Sequence, residues 1–407
     1  MSKSVSIIGA GLAGCEAALQ LSSMNYKVKL YDSKPNRLLS IYNLPTYAEL
    51  ICNNSMGTFG EEYPLGVLIK ELEYLGSKLL KIAENNRVND KKFLAVDKIA
   101  FSEDVTNCLR KNDIQIINKH VQSIPEDDYL IIATGPLTDD AIVSFLQKKH
   151  NLEKIHFSDA SCAIVDIDSL NLKNNSIKKL SDDLYLVLFS DKSFKTFYHE
   201  LFIQSTSNII CGIDKKIDFE KCQSIEGLAQ KGLNVLYETR FKYDYFDKPC
   251  LMLRRECALN NGFIMVGCMT TLNHSAQRKI FSNIPGFENC KIIKYGRMHR
   301  NTYFYSPKIL NHFFQINNTN TFIIGQLSGI DGYLPAIASG LVASIKIIYG
   351  DNAPNFPNDT MIGGLANYIS NTKITDFQPM CASFSLLKNS CFNIDSIQRY
   401  IEYLKSV

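Results

Sequence analysis

The chain has 407 residues, of which 45% are hydrophobic and 21% are charged, with a formal net charge of +3. These values are typical of a soluble globular protein of about two domains, and so small a net charge excludes neither a nucleic-acid partner nor a small substrate. No run approaches the roughly 18 apolar residues that span a membrane, and glycines interrupt the apolar stretch at the N-terminus. We therefore expect a cytoplasmic protein with neither a membrane nor a DNA partner.

Twelve cysteines are scattered singly along the chain. None has the CxxC spacing of zinc or dithiol sites, so no metal site is predicted. Without a secretion signal these thiols are expected to be reduced, most of them as small buried hydrophobic side chains and a few at most as catalytic groups.

The N-terminal segment has the pattern of a βαβ unit. An apolar run at 5–8 predicts a strand, residues 15–22 have helical periodicity, and 28–31 predict a second strand that ends at Asp32. A GxGxxG motif lies between the first strand and the helix, and its residues are Gly9, Ala10, Gly11, Leu12, Ala13 and Gly14.

Each glycine of this motif has its own physical role. Gly9 permits the tight turn, Gly11 lets the backbone approach a pyrophosphate, and Gly14 lets the helix pack against the strand. The helix N-terminus then presents free N–H groups and a positive dipole, and Asp32 is placed to accept hydrogen bonds from a ribose. The sequence therefore predicts a dinucleotide site at residues 9–14 and Asp32.

Farther along the chain, helices and strands alternate, and they are predicted at 64–84, 103–110, 114–117, 128–135 and 139–149. Between about 165 and 270 the character changes. Strand-like runs such as 184–188 and 207–210 alternate there with charged turns and two helical stretches. This predicts an inserted α+β domain at 166–270, while 1–165 and 271–407 form one discontinuous domain that ends in a helical tail.

Two later glycine elements favour FAD over NAD. Ala133, Thr134 and Gly135 follow a buried strand, as a second dinucleotide element often does in large flavoproteins. Gly325 ends a strand and precedes a helix of small residues at 335–348, like the third element of those proteins. The predicted fold class is α/β, with an FAD-binding Rossmann-type domain of the glutathione-reductase-like kind and the inserted α+β domain.

Short motifs are spread along nearly the whole chain, at 9–14 (GAGLAG), 48–55 (AELICNNS), 94–97 (LAVD), 133–138 (ATGPLT), 219–226 (FEKCQSIE), 284–289 (IPGFEN), 295–303 (YGRMHRNTY), 325–326 (GQ), 332–333 (GY), 338–341 (ASGL) and 377–380 (FQPM). Taken together, they resemble the folate- and FAD-dependent RNA uracil-C5 methyltransferases, the TrmFO family.

The resemblance implies a reaction and two catalytic cysteines. Members of the family take a one-carbon unit from 5,10-methylenetetrahydrofolate, use FAD to transfer and reduce it, and restore the reduced flavin with NAD(P)H. By resemblance, Cys222 in the insertion would add to C6 of uracil, which makes C5 nucleophilic. Cys52 would manage the methylene group or take part in removing the C5 proton. By the same resemblance, the cofactor contacts beyond the glycine motif would be His299, Arg300, Asn301, Gln326, Gly332 and Tyr333.

The motifs that face the cofactors are kept, whereas the segments expected to face RNA depart from the family. Residues 43–47 lack the usual histidines, and 238–250 lacks the usual GPMKP pattern. This drift favours 23S ribosomal RNA as the target, with the T-loop uridine of tRNA as the alternative. A flavoprotein NAD(P)H oxidoreductase, or an RNA-binding flavoprotein without methyl transfer, is the alternative of another class. The oligomeric state and the choice between NADPH and NADH stay open.

Overall fold

The computed structural model describes residues 3–37, 43–150, 152–160, 162–205, 223–243, 246–256, 261–296, 298–375, 377–388 and 392–407. Its strands are β1 (Ser4–Ile8), β2 (Lys27–Asp32), β3 (Ser55–Thr58), β4 (Phe93–Ala95), β5 (Ile114–Asn118), β6 (Tyr129–Ile132), β7 (Lys154–Ala160), β8 (Cys162–Asp166), β9 (Ile177–Ser181), β10 (Leu184–Leu188), β11 (Cys250–Arg255), β12 (Gly262–Met269), β13 (Ile292–Lys294), β14 (Met298–Phe304) and β15 (Thr321–Ile323).

The helices are α1 (Leu12–Ser23), α2 (Pro64–Tyr74), α3 (Lys78–Asn85), α4 (Lys98–Lys111), α5 (Asp140–His150), α6 (Asp191–Ser205), α7 (Ile225–Lys231), α8 (Leu233–Leu236), α9 (His274–Phe281), α10 (Tyr333–Tyr349), α11 (Met361–Ser370) and α12 (Ile394–Ser406). The strand predicted at 207–210 lies outside the described residues.

The first sheet is five-stranded and parallel, in the order β15-β6-β1-β2-β5. Strand β1 is fully buried at Val5 and Ile7, because a parallel sheet is covered by helices on both faces. The carboxyl ends of β1, β2, β6 and β15 therefore meet at one edge, where ligands bind in sheets of this kind.

Helices α1 and α10 pack closely over this sheet. A Cβ on Gly340 would lie 2.3 Å from the carbonyl oxygen of Ala13, so only glycine allows the contact. With the turn Gly350–Asn352, α10 is long and apolar enough to cross a membrane, although the sequence was expected to contain no such run. Because 67% of its apolar window is buried inside the protein, it is a core helix.

A second sheet is six-stranded and antiparallel, in the order β13-β8-β12-β11-β10-β9. The chain leaves the parallel sheet through β7 and returns through β14, and these two strands pair antiparallel. An aromatic cluster that includes Phe189, Phe197 and Phe241 packs against this sheet. The second core extends past residue 270, because α9 packs on it and β13 pairs with β8.

The helix predicted at 64–84 is two helices in the structure. Helix α2 ends at Tyr74 and α3 begins at Lys78, with Gly76 between them at φ +71°, a conformation that favours glycine. The helix predicted at 103–110 begins earlier, at Lys98, because the Asp97 carboxylate accepts the N–H groups of Ile99 and Ala100 and caps it.

Buried charges join the second sheet to the first domain. The Arg254 guanidinium, 2% exposed, lies 3.1 Å from the Asp90 carboxylate, and Lys98 Nζ lies 3.1 Å from Glu256 Oε1. Asn54 Nδ2 donates to the Arg255 carbonyl at 2.7 Å. The segment around Cys52 is thereby fixed against the insertion.

Candidate active site

In the glycine turn after β1, close packing requires glycine at two positions, and a third position borders open space. A Cβ on Gly9, at φ +106°, would lie 2.4 Å from the Ala133 carbonyl oxygen, and a Cβ on Gly14 would lie 1.9 Å from the Gly9 carbonyl oxygen. A Cβ on Gly11 would meet no described atom within 4 Å. Gly11 therefore borders space that a ligand can use, as the predicted pyrophosphate contact requires.

Asp32 ends β2 beside this turn. Its Oδ2 accepts the Ala10 N–H at 2.7 Å, and its Oδ1 accepts the Lys34 N–H at 2.9 Å. Each carboxylate oxygen keeps a further lone pair for a ligand hydroxyl. The carboxylate thus holds the glycine turn in place and still has the capacity to bind a ribose.

A cleft opens beside Gly9 and Asp32 and is lined on its far side by Thr134 and Thr138. Sequence reasoning missed three of its cationic or titratable residues, Arg37, Lys119 and His120. His120 Nε2 lies 3.0 Å from Asp139 Oδ2 across the cleft. The position of the cleft between β2 and β6 suits the adenosine half of a dinucleotide.

The second glycine element follows β6. The Ala133 N–H donates to the Ile8 carbonyl at 2.8 Å, and Gly135 has φ +69°. The Thr134 and Thr138 hydroxyls are hydrogen-bonded at 2.6 Å. The structure therefore brings 133–135 against the turn that carries Gly9.

Asn301 on β14 has a buried amide that finds no partner among the described residues. Its side chain is 1% exposed, and neither its amide nitrogen nor its amide oxygen has a hydrogen-bond partner among the described residues. A buried amide without partners costs about 1–3 kcal/mol, so a ligand that supplied an acceptor and a donor would remove this cost. His299 and Arg300 lie on the same strand, but their side chains are outside the described part.

The third element lies at the start of α10. The Gly325 N–H donates to Ser339 Oγ at 2.9 Å, and Gln326 Nε2 donates to Asp331 Oδ1 at 3.0 Å. Gly332, at φ +102°, is the N-cap residue and, as a glycine, has no side chain with which to cap the helix. The α10 N-terminus therefore keeps N–H groups and a positive dipole for a phosphate or a flavin ring.

Tyr333, the first residue of α10, holds the loop that carries Cys52. The Tyr333 hydroxyl accepts the N–H groups of Cys52 at 2.8 Å and of Asn53 at 3.2 Å. The same hydroxyl lies 3.2 Å from the Asn53 carbonyl oxygen, to which it donates. One side chain thus fixes the half-buried Cys52 at the N-terminus of the helix that forms the third element.

A lysine that sequence reasoning missed lies near Cys52. Burial lowers the pKa of Lys294, and the positive charge of Lys98 lowers it further. The Cys52 thiol and the Glu49 carboxylate are within electrostatic range of this lysine and act in the opposite direction. The only signal in the sequence is its position next to the YGR segment of the 295–303 motif.

Cys222 lies outside the described residues, so its distance from Cys52 is not described. The residues that follow it are well anchored. The Gln223 carbonyl accepts Arg240 Nη2 at 3.2 Å, and Ser224 Oγ caps α7 through the Gly227 N–H. Among the described residues, no group of three or more His, Cys, Asp or Glu side chains is placed to hold a metal ion.

Comparison with known proteins identifies the family. The family model described as glucose inhibited division protein A (GidA) matches residues 4–350. The methylenetetrahydrofolate–tRNA-(uracil-5-)-methyltransferase TrmFO of Lactobacillus helveticus is 35% identical over 401 residues, which cover 94% of this chain and 98% of that protein. The chain belongs to the GidA/TrmFO family. The TrmFO of Bacillus subtilis is also 35% identical, over 95% of this chain and 92% of that protein.

Solved structures of the GidA/TrmFO family show the same fold. In its form I crystal, Aquifex aeolicus GidA superposes with a TM-score of 0.74 over 100% of this chain and 76% of that chain, at 16% identity. The form II crystal gives 0.73 at 15% identity. The predicted α/β fold with an FAD-binding Rossmann-type domain is therefore confirmed.

Proposed function

We propose that the protein is a methylenetetrahydrofolate- and FAD-dependent RNA methyltransferase that forms 5-methyluridine in tRNA. The observation that carries this proposal is the Tyr333 hydroxyl, which holds Cys52 at the N-terminus of α10, where the N-cap residue is Gly332. A thiol fixed beside the element that would face the flavin is placed to act on a substrate there, as the family resemblance implies for Cys52. The curated relatives named TrmFO, at about 35% identity over nearly the whole chain, support the same reaction.

The residues present fit FAD. The open space at Gly11, the Asp32 carboxylate and the cleft beside it suit the pyrophosphate and the adenosine, and the buried Asn301 amide offers a donor and an acceptor. The start of α10, with Gly325, Gln326 and Gly332, would face the flavin. When bound, reduced FAD would supply the hydride that converts the methylene carbon to a methyl group, and NAD(P)H would restore the reduced flavin.

The two cysteines would supply the chemistry on uracil. Cys222 would form a C–S bond to C6 as a thiolate, which places negative charge on C5 and lets it attack the one-carbon unit. Cys52 would then take part in removing the C5 proton, and the electrons of the C5–H bond would expel the one-carbon carrier, which leaves an exocyclic methylene at C5. Addition of the hydride to that methylene would form the methyl group and return negative charge to C5, and the C–S bond would then break as Cys222 leaves as the thiolate. Lys294 is within electrostatic range of Cys52, and in its protonated form it would favour the thiolate form of that side chain.

The preferred RNA differs from the one that sequence drift favoured. The segments that depart from the family pattern favoured 23S ribosomal RNA, whereas the names of the relatives give tRNA as their substrate. The similarity spans nearly the full length of both chains, and drift on a surface is weak evidence for another target. We therefore prefer tRNA, and with it a cytoplasmic location.

The test is methylation by the purified flavoprotein of unmodified tRNA transcripts and of 23S fragments, with methylenetetrahydrofolate and NAD(P)H. We expect 5-methyluridine in tRNA, and its loss in Cys222→Ala and Cys52→Ala with flavin retained. Cys108→Ala is the matched control, because this half-buried thiol lies on α4 and no cofactor role is proposed for it. Methylation of 23S fragments alone would overturn the tRNA assignment, and NAD(P)H oxidation without methylation of either RNA would overturn the proposal.

A further inference from the structure

A stacked aromatic pair joins the first residue of α9, His274, to Tyr295, the residue that follows β13. The rings of His274 and Tyr295 stack with centroids 4.0 Å apart and planes 14° apart. His274 is exposed, Tyr295 is half-buried, and the Arg278 guanidinium carbon lies 5.7 Å from the Tyr295 ring centre. We call this pair, with Arg278, the His274 platform.

The platform is held rigidly by backbone contacts. The Gln277 side chain, fully buried, donates to the Gly296 carbonyl at 2.9 Å and accepts the Gly296 N–H at 2.9 Å. Asn273 caps α9 by accepting the Ala276 N–H at 2.9 Å. Both rings are thus fixed at their backbones, so a stacking partner would meet a surface that needs little further ordering.

The platform is connected to the helix that follows Cys222 and to the strand that carries Lys294. Thr270 and Thr271, just before α9, donate to the buried Glu226 carboxylate on α7, the helix that follows Cys222. On the other side, Tyr295 directly follows Lys294, which is within electrostatic range of Cys52. Hydrogen bonds thus tie the start of α9 to the helix that follows Cys222, and Tyr295 directly follows a lysine within electrostatic range of Cys52.

We propose that the His274 platform binds a nucleobase next to the target uridine by stacking, while Arg278 contacts the adjoining phosphate. Unpaired bases of RNA are recognised by stacking on aromatic rings and by arginine at the backbone. This inference rests on the proposed function, because it assigns the flanking nucleotide of that substrate. It gives the exposed His274 ring a role that core packing does not require.

The test uses an RNA stem-loop with 2-aminopurine beside the target uridine, titrated with the intact flavoprotein. Stacking quenches 2-aminopurine fluorescence, so quenching is expected with the wild-type protein and with Tyr295→Phe, and it should be lost in His274→Ala and Tyr295→Ala. In the methylation assay, His274→Ala and Arg278→Ala should raise the KM for RNA about fivefold or more at unchanged kcat and flavin content. Tyr403→Ala, an exposed aromatic on α12, is the control and should behave as wild type.

His274 is exposed, so His274→Ala decides the question even where Tyr295→Ala fails to fold. Unchanged quenching and unchanged KM in His274→Ala would overturn the platform. Because quenching is measured without turnover, a wild-type protein that quenches but methylates no RNA would overturn the proposed function and leave the platform standing. If the wild-type protein methylates RNA and His274→Ala and Arg278→Ala have the same KM as the wild type, the proposed function stands and the platform is overturned.

Discussion

Replacing Tyr333 with phenylalanine removes one hydroxyl and keeps the ring at the start of α10. The hydroxyl accepts two backbone N–H groups, those of Cys52 and Asn53, and donates to the Asn53 carbonyl. A hydrogen bond of this kind contributes about 0.5–1.5 kcal/mol net, and a partly buried donor left unpaired costs somewhat more. We expect the loop to lose about 1–3 kcal/mol of its preference for this position.

Such a loss lowers the equilibrium constant between the loop with Cys52 in place and the displaced loop by about fivefold to 150-fold, at 1.4 kcal/mol for each factor of ten. Because the ring stays, flavin binding should not change. The expected result for Tyr333→Phe is therefore a fall in kcat of up to this size, with a wild-type flavin spectrum and little change in thermal stability.

The assay is steady-state formation of 5-methyluridine, with flavin absorbance and thermal unfolding measured on the same preparations. Tyr26→Phe is the matched control, because the Tyr26 hydroxyl donates to the Ile347 carbonyl at the opposite end of the same helix. Wild-type kcat in Tyr333→Phe, or an equal loss in Tyr26→Phe, would refute the role of this hydroxyl.

Three further predictions concern the cofactor site and the core. Gly11→Ala should leave thermal unfolding unchanged and reduce the flavin content. Gly14→Ala should destabilise the fold, because its Cβ would lie 1.9 Å from the Gly9 carbonyl oxygen. Equal thermal stability of the two variants would contradict this difference. Asn301→Leu should keep or raise the stability of the flavin-free protein and lose flavin, and full flavin content in this variant would be against the assignment. Burial raises the pKa of Glu71 from 4.5 to about 7, so the folded protein keeps a proton that the unfolded chain releases, and stability should fall as the pH rises from 4.5 to 7. In Glu71→Gln the fall in Tm between pH 4.5 and 7 should be smaller than in the wild type. A fall of the wild-type size in this variant would assign the pH dependence to other groups.

The local parts of the fold could be predicted from the sequence, because their signals are local. The strand, glycine turn and helix that begin the chain are all within 30 residues, and each glycine has a steric reason that the structure bears out at Gly9 and Gly14. The break at Gly76 was missed, since apolar periodicity continues on both sides of it and only the positive φ reveals the turn.

The candidate site depends on contacts that no local pattern specifies. Tyr333 and Cys52 are 281 residues apart in sequence and meet through one hydroxyl. The stack of His274 on Tyr295 depends on how β13 and α9 pack, and the prediction ended the insertion before both of them. The motif at 295–303 predicted Asn301 as a cofactor contact, but it could not show that the amide is buried without a partner among the described residues, because burial depends on the three-dimensional packing.

The central claim is that the methyl group comes from the folate and is reduced on the protein. The most direct measurement supplies methylenetetrahydrofolate with a dideuterated methylene group to the purified protein, with tRNA transcript and NAD(P)H, and weighs the methyl group of the 5-methyluridine formed. The account predicts a methyl group that keeps both deuterons and gains one ordinary hydrogen. A methyl group without deuterium, or tRNA without 5-methyluridine despite bound FAD, would contradict it.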